Sequence, residues 1–159
     1  MVKYVFPGNQ FTADKTVSVT WYDGDAKPPA EITSQLGALK APGQGSIFLG
    51  TDGVMVLPHV ARPILLPEAK YADYKMPTLP PADHWFQFID AARGQGKTSA
   101  GFDYSGPLTE SILLGGVASR FPEQTLEWDA AALKFKNNPE ADKLLRHQYR
   151  KGWEVPGLS

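Results

Sequence analysis

Acid–base chemistry needs two titratable side chains held close together, and one short segment of this chain offers such a pair. Asp103 and Tyr104 supply a carboxylate and a phenol, and Ser105 adds a hydroxyl beside them. A helix is expected to begin near Ser105, because Gly106 and Pro107 follow and proline is tolerated in a first helical turn. The alternative role for Asp103 or Ser105 is therefore to cap that helix. Asp103 and Tyr104 remain candidates for contact with a substrate.

His84 is the next candidate, since it precedes Trp85 at the predicted start of another helix. The positive end of the helix dipole disfavours a charged imidazole there, which leaves a neutral ring able to donate or accept a hydrogen bond. The other histidines, His59 and His147, are far apart in sequence, and none of the three forms a metal-ligand pattern with a nearby carboxylate. The sequence therefore predicts no metal site.

Exposed aromatic planes suit the apolar faces of sugar rings. The aromatic residues that could stack on a sugar ring are Trp21, Tyr22, Trp85, Tyr104, Trp128 and Trp153. Trp21 and Tyr22 close a predicted strand, and Tyr104 lies near a helix start, and these three are our candidates for contact with a substrate. The alternative is that these side chains belong to the core or to an interface, as most aromatic residues do.

The glycine-rich segment at residues 94–98 (GQGKT) resembles part of a phosphate-binding loop. Such a loop also needs a glycine at position 91, which is alanine here, and a strand in front of it. A predicted helix precedes this segment, which favours a helix end followed by a turn. The pattern Gly-x-Gly-x-x-Gly is absent from the sequence, so we expect neither a nucleotide site nor a bound cofactor in this chain.

The composition is that of an ordinary globular chain. Its 159 residues suit one domain, with 42% hydrophobic and 21% charged residues. A net charge of −1 gives no attraction to nucleic acid or to an anionic membrane surface, and no apolar run is long enough to predict a membrane span. The lack of cysteine excludes disulfides and thiolate nucleophiles. The compartment stays open, cytoplasmic by default, with an exported parent as the alternative.

Short strands dominate the first half of the chain. Residues 16–22 alternate between apolar and hydroxyl side chains, which predicts a half-buried strand. Residues 46–57 contain two β-type runs around an Asp-Gly turn, the strongest hairpin signal in the sequence. Residues 62–66 predict an edge strand because they contain a proline, and residues 67–82 form a proline-rich connector.

Three helices are predicted in the second half. The first begins after Asp83 as N-cap and ends at Gly94, the second runs from about Ser105 to Arg120, and the third extends from an Asn138 cap to Gly152. Strands followed by helices predict an α+β fold, an open, mainly antiparallel sheet with helices packed on one face. Self-association would cover the other sheet face.

Several segments in order resemble a known family. They are residues 19–24 (VTWYDG) with Pro28-Pro29, residues 45–53 (GSIFLGTDG), His84-Trp85, residues 102–110 (FDYSGPLTE), residues 126–129 (LEWD), residues 138–141 (NPEA) and residues 149–153 (YRKGW). Together they are similar to the C-terminal portion of a bacterial subgroup of the Gfo/Idh/MocA oxidoreductases, the glucose–fructose oxidoreductase and inositol dehydrogenase family. The resemblance covers roughly residues 16 to 155.

The resemblance implies a two-part parent protein. Members of the family carry an N-terminal Rossmann domain that binds NAD or NADP and a catalytic lysine in a Glu-Lys-Pro motif. Their C-terminal domain is an open, dihydrodipicolinate-reductase-like sheet that covers the substrate and builds dimers or tetramers. The typical reaction transfers a hydride between a sugar or cyclitol hydroxyl and the nicotinamide.

This chain departs from the family pattern in its catalytic parts. It contains no Glu-Lys-Pro motif, because Lys27-Pro28 follows Ala26, and residues 1–15 contain no histidine for the family's acid–base segment. The resemblance therefore implies a single C-terminal domain over residues 1–159, without the Rossmann domain, without catalytic residues and inactive alone. Its partners would be further copies, the missing Rossmann domain and a small sugar-like substrate.

Two alternatives belong to other functional classes. The chain could be a stand-alone carbohydrate-binding or protein-interaction module derived from such a domain. It could also be a purely structural subunit that assembles through its sheet face.

Overall fold

A computed structural model describes residues 1–157 of the chain. Apart from the first two residues, its contacts group into two compact units, Lys3–Pro80 and the part that begins at Pro81. Each unit is described by itself below. The expectation of one domain over residues 1–159 stays a prediction.

The secondary structure confirms the α+β class predicted from the sequence. In chain order the elements are β1 (Val2–Pro7), β2 (Thr16–Trp21), α1 (Ala30–Thr33), β3 (Gly45–Leu49), β4 (Val54–Pro58), β5 (Ile64–Leu66), α2 (His84–Ala92), α3 (Phe102–Ala118), β6 (Trp128–Asp129), β7 (Lys134–Phe135) and α4 (Pro139–Asp142). Single 3₁₀ turns lie at Ser34–Leu36 and Glu68–Tyr71. None of the helices within residues 1–157 is long and apolar enough to cross a membrane.

The strands form three small sheets, where the sequence predicts a single open one. Strand β1 pairs with β2, β3 with β4 and β5, and β6 with β7. Prolines stand at the ends of several strands: Pro7 closes β1, Pro58 closes β4 and Pro63 precedes β5. Proline has no backbone N–H to donate to a ladder, so these positions help to keep the strands short and the sheets separate.

The predicted hairpin forms as strands β3 and β4. They pair antiparallel from Gly45 opposite Pro58 to Leu49 opposite Val54, and the loop between them closes with the N–H of Gly50 donating to the carbonyl of Gly53 at 2.9 Å. A Cβ at Gly53 would lie 2.4 Å from the carbonyl oxygen of Leu66. Glycine is therefore required where this turn approaches the end of β5.

Strand β5 pairs antiparallel with the other edge of β4, as the edge-strand prediction requires. Successive side chains of the central strand β4 point to opposite faces of the sheet, so Val54 and Val56 share one face. Both are buried, and Val56 is only 1% exposed. Leu36 from the 3₁₀ turn and Leu66 from β5 complete this core, with Leu39, Ile47 and Ile64 packed around it.

Helix α2 begins and ends where its local signals predict. One carboxylate oxygen of Asp83 accepts hydrogen bonds from the backbone N–H of Trp85 at 2.9 Å and of Phe86 at 3.1 Å. At the other end Gly94 adopts a φ of 78°, a left-handed conformation that stops the helix.

Helix α3 begins at Phe102, earlier than the predicted start near Ser105. The prediction placed Pro107 in the first turn, but this proline lies inside the helix. Proline fixes φ near the helical value but has no backbone N–H, so Pro107 cannot donate to the carbonyl of Asp103, four residues earlier.

The last elements form around strand β7. Trp128 pairs with Phe135 across the β6–β7 ladder, and their rings lie 5.1 Å apart in an edge-on contact. Asn138 caps α4 as predicted, by accepting from the N–H of Glu140 and of Ala141. The helix ends at Asp142 and does not extend to Gly152 as expected. A short helix in a protein is stabilised mainly by packing. Leu144, the next apolar residue after Asp142, is exposed and therefore gives a longer helix no such contact.

Substituting Val56 by alanine should lower the free energy of unfolding by about 2 kcal/mol, because it removes two buried methyl groups and leaves a cavity. Val60, which is 89% exposed after the same strand, provides the matched control. Val60→Ala should change stability by less than about 0.5 kcal/mol. Urea unfolding curves measure both, and equal effects would contradict the assignment of Val56 to the core.

Candidate functional site

Trp21 and Tyr22 lie where β2 ends and a turn begins. The expected face of this strand carries Val17, Val19 and Trp21, but only Val17 is half-buried, and Trp21 is 51% exposed. The strand is therefore more open than the sequence predicts. Tyr22 is half-buried beside it. An exposed indole plane at a strand end can stack on a sugar ring.

His84 occupies the first position of α2, where its side chain is exposed. Its imidazole lies against the indole of Trp85, with ring centroids 4.7 Å apart and planes tilted by 38°. Across residues 1–157, no carboxylate forms an ion pair with His84. The exposed ring can therefore offer a hydrogen bond to a ligand.

Asp103 and Tyr104 lie in the first turn of α3, and both are exposed. Neither Asp103 nor Ser105 caps the helix: the N-cap is Gly101, and the hydroxyl of Ser105 donates to the carbonyl of Ala100 at 3.0 Å. The carboxylate of Asp103 lies near the N-terminal end of the helix.

The candidate residues do not form a catalytic pair. Within the second unit, no hydrogen bond or ion pair of the described residues joins His84 to Asp103 or to Tyr104. Trp21 and Tyr22 belong to the first unit. A general base and its partner must lie within hydrogen-bond reach, so His84, Asp103 and Tyr104 form no such pair within the described part of the second unit.

No cluster of histidine and carboxylate side chains suited to a metal ion occurs among residues 1–157. The glycine-rich segment at residues 94–98 follows helix α2, as expected from the sequence. Two backbone N–H groups of the segment bond to the last turn of that helix: Gly94 donates to the carbonyl of Ala91 at 3.0 Å, and Gln95 donates to the carbonyl of Asp90 at 2.7 Å. These donors are therefore occupied and not directed at a phosphate.

The hydrogen bond between Glu110 and Trp128 was not predicted from the sequence. The indole N–H of Trp128 donates to a carboxylate oxygen of Glu110 at 2.7 Å in a partly buried setting. It joins the middle of α3 to strand β6, and Phe135 lies against the same indole. Both residues belong to segments that carry the family resemblance, but they are separated by 18 positions, so spacing alone gave no signal.

A second unpredicted cluster lies at the tip of the β3–β4 hairpin. The ammonium group of Lys70 pairs with the carboxylate of Asp52 and also donates to its backbone carbonyl at 2.7 Å, and the hydroxyl of Tyr71 donates to the same carbonyl at 2.8 Å. The hydrogen bond to Asp52 is the largest cause that raises the pKa of Lys70. A raised lysine pKa contributes stability that is complete below the ordinary value of 10.5 and is lost as pH rises through the raised value.

A shallow groove of about 500 Å³ lies beside this hairpin in the first unit. Leu36, Leu39, Val54 and Leu66 line it, and Glu68 supplies the one ionisable side chain of its described wall. A wall of this kind can hold an apolar group but offers no acid–base pair.

Replacing Glu110 by alanine should destabilise the chain by about 1.5 kcal/mol, because it leaves a partly buried indole N–H without its charged acceptor. Glu110→Gln keeps an acceptor oxygen and should cost less. NMR provides a direct readout, since the four tryptophans give four indole N–H resonances. Only that of Trp128 should move strongly in Glu110→Ala, and an unchanged spectrum would show that the bond is not made in solution.

The chain matches no protein-family model, no curated protein and no solved structure. The resemblance to the Gfo/Idh/MocA oxidoreductases therefore stays a prediction from the sequence segments, and the function has to be argued from the residues themselves.

Proposed function

We propose that this chain is the C-terminal substrate-binding and oligomerisation domain of an NAD(P)-dependent oxidoreductase that acts on a sugar- or cyclitol-like substrate. In this proposal the parent protein is related to the Gfo/Idh/MocA family, and the cofactor binds to a Rossmann domain outside these residues. Alone, the chain binds neighbouring surfaces and carries out no hydride transfer.

The observation that carries the proposal is the amount of large apolar surface left exposed. It is found on strands of the first unit and on both long helices of the second: Val19, Trp21, Phe48, Leu49, Trp85, Phe86, Phe88, Ile89, Phe102, Tyr104, Ile112 and Leu113. Single exposed apolar residues are normal on a protein surface, but runs of them mark an interface. This exposed surface supports a self-associating role, because most soluble oligomers are closed homo-oligomers.

The candidate contact residues fit a substrate-covering role. Trp21 and Tyr104 present exposed aromatic rings, and His84 and Asp103 present exposed polar groups that can hydrogen-bond to hydroxyls. Tyr22 lies half-buried next to Trp21. Within the second unit, the consecutive residues Asp103 and Tyr104 place a hydrogen-bonding group beside an aromatic plane, which is the combination that a sugar needs.

A stand-alone carbohydrate-binding module is the second candidate function. The exposed ring of Trp21 at the end of β2 favours it, because a flat indole can hold a sugar without any cofactor or catalytic domain. The two candidates differ in one respect: the module binds a sugar tightly by itself, whereas the domain of an oxidoreductase only completes a site.

The first test is a fluorescence titration of the full chain with NADH and NADPH. We expect no saturable binding at micromolar concentration, because the sequence holds no glycine-rich dinucleotide loop. An intact sugar dehydrogenase of known cofactor affinity serves as the positive control. Saturable micromolar binding by this chain would contradict the proposal.

Calorimetry against a panel of sugars and cyclitols separates the two candidate functions. The oxidoreductase domain should give no measurable heat by itself. A saturable signal that disappears in Trp21→Ala and persists in Trp153→Ala, the same truncation at another exposed tryptophan, would support the stand-alone module and not the oxidoreductase domain.

A further inference from the structure

Helix α2 has its apolar side toward solvent and its polar side toward the protein. At roughly 100° per residue, Trp85, Phe88, Ile89 and Ala92 share one arc of the helix, and Phe86 lies beside it. All five are exposed. The opposite side carries Gln87, Asp90 and Ala91, which are all less accessible. A surface helix normally buries its apolar stripe, so this arc requires a cover.

We propose that the cover is helix α2 of a second copy of this chain, packed antiparallel about a twofold axis near Phe88. The inference rests on the self-association part of the proposed function and names the surface that carries it. It replaces the sheet face, which the sequence suggested, with the apolar arc of α2.

The charges at the two ends of α2 favour an antiparallel partner of the same kind. Asp83 stands at the N-terminal end and Arg93 at the C-terminal end, and neither has an ion-pair partner within residues 1–157. In an antiparallel pair each Asp83 lies at the same end of the pair as the Arg93 of the other copy. The helix dipoles are also opposed in that arrangement, which is favourable. A self-complementary patch of this kind is what a twofold interface requires.

The area is sufficient for a specific interface. Trp85, Phe86 and Phe88 are 70%, 65% and 67% exposed. At about 200 Å² for each aromatic side chain, they leave roughly 400 Å² per copy open to solvent. Two copies would cover about 800 Å² from these rings, and Ile89 with the helix flanks adds the remainder of the ~1,000 Å² that a specific interface buries.

Disulfide trapping tests this arrangement directly, because the natural chain has no cysteine. Ile89→Cys places a thiol next to the proposed axis, where two facing helices bring their Cα atoms within the reach of a disulfide. Ala92→Cys places it about one turn from that axis, so that in an antiparallel pair the two thiols are about 12 Å apart along the helices. Lys97→Cys lies outside the helix and reports random collisions.

We expect rapid dimeric cross-linking for Ile89→Cys and only background cross-linking for Ala92→Cys and Lys97→Cys. Equal cross-linking of Ile89→Cys and Ala92→Cys would overturn the antiparallel arrangement. If Ile89→Cys gave only the background of Lys97→Cys while sedimentation showed oligomers, this surface would be wrong and the proposed function would stand. A chain that stays monomeric at high concentration would overturn both.

A charge reversal gives an independent readout. Arg93→Glu converts two attractive contacts into repulsive ones and should raise the dimer dissociation constant about three- to tenfold at low salt. Lys97→Glu makes the same change in net charge away from the helix and should leave the constant unchanged. Equal effects of the two variants in sedimentation equilibrium would contradict the proposed pairing of Asp83 with Arg93.

Discussion

Burial of Val54 and Val56 on strand β4 is the interaction on which the first unit depends. This strand is paired on both edges, by β3 and by β5, and its inward side chains meet Leu36 and Leu66. The surrounding contacts keep the strand in place. The close approach at Gly53 lets the hairpin turn meet the end of β5, and the pair between Lys70 and Asp52 ties the following turn to the hairpin tip. The burial of these apolar groups stabilises the register of the sheet, because a shift of one residue would expose them to water.

The second unit is held more by hydrogen bonds than by a core. Its buried apolar side chains are few, with Phe135 and Ala141 among them. Directional contacts do much of the positioning: the carboxylate of Asp142 accepts from the N–H of Phe135 at 2.6 Å, and Glu110 accepts from Trp128. Such bonds each contribute modestly to stability. They orient α3 and α4 around β7 but do not cover the large apolar side chains of α2, and this leaves the surface that we assign to association.

The candidate site has the chemistry of binding. Aromatic planes and single polar groups are available at Trp21, His84, Asp103 and Tyr104, and among the described residues of the second unit no hydrogen bond or ion pair joins His84 to Asp103 or Tyr104. This pattern suits a domain that covers a substrate while another domain supplies the cofactor and the proton transfer. It also suits a sugar-binding module, and the difference between the two is one of affinity for a sugar.

Local signals in the sequence were enough to place several elements. The caps at Asp83 and Asn138, the stop at Gly94 and the hairpin around Asp52-Gly53 all depend on a few neighbouring residues, whose backbone preferences act without help from the rest of the chain. The start of α3 was misplaced because the prediction relied on the preference of proline for a first turn, whereas Pro107 lies inside the helix despite the lost backbone hydrogen bond. The length of α4 was misjudged because a helical pattern beyond Asp142 persists only if something packs against Leu144. The number of sheets, the contact between Glu110 and Trp128 and the outward direction of the apolar arc of α2 depended on which distant residues meet. Only the tertiary structure could decide those features, because burial is a property of the whole chain and periodicity identifies an apolar face without saying what lies opposite it.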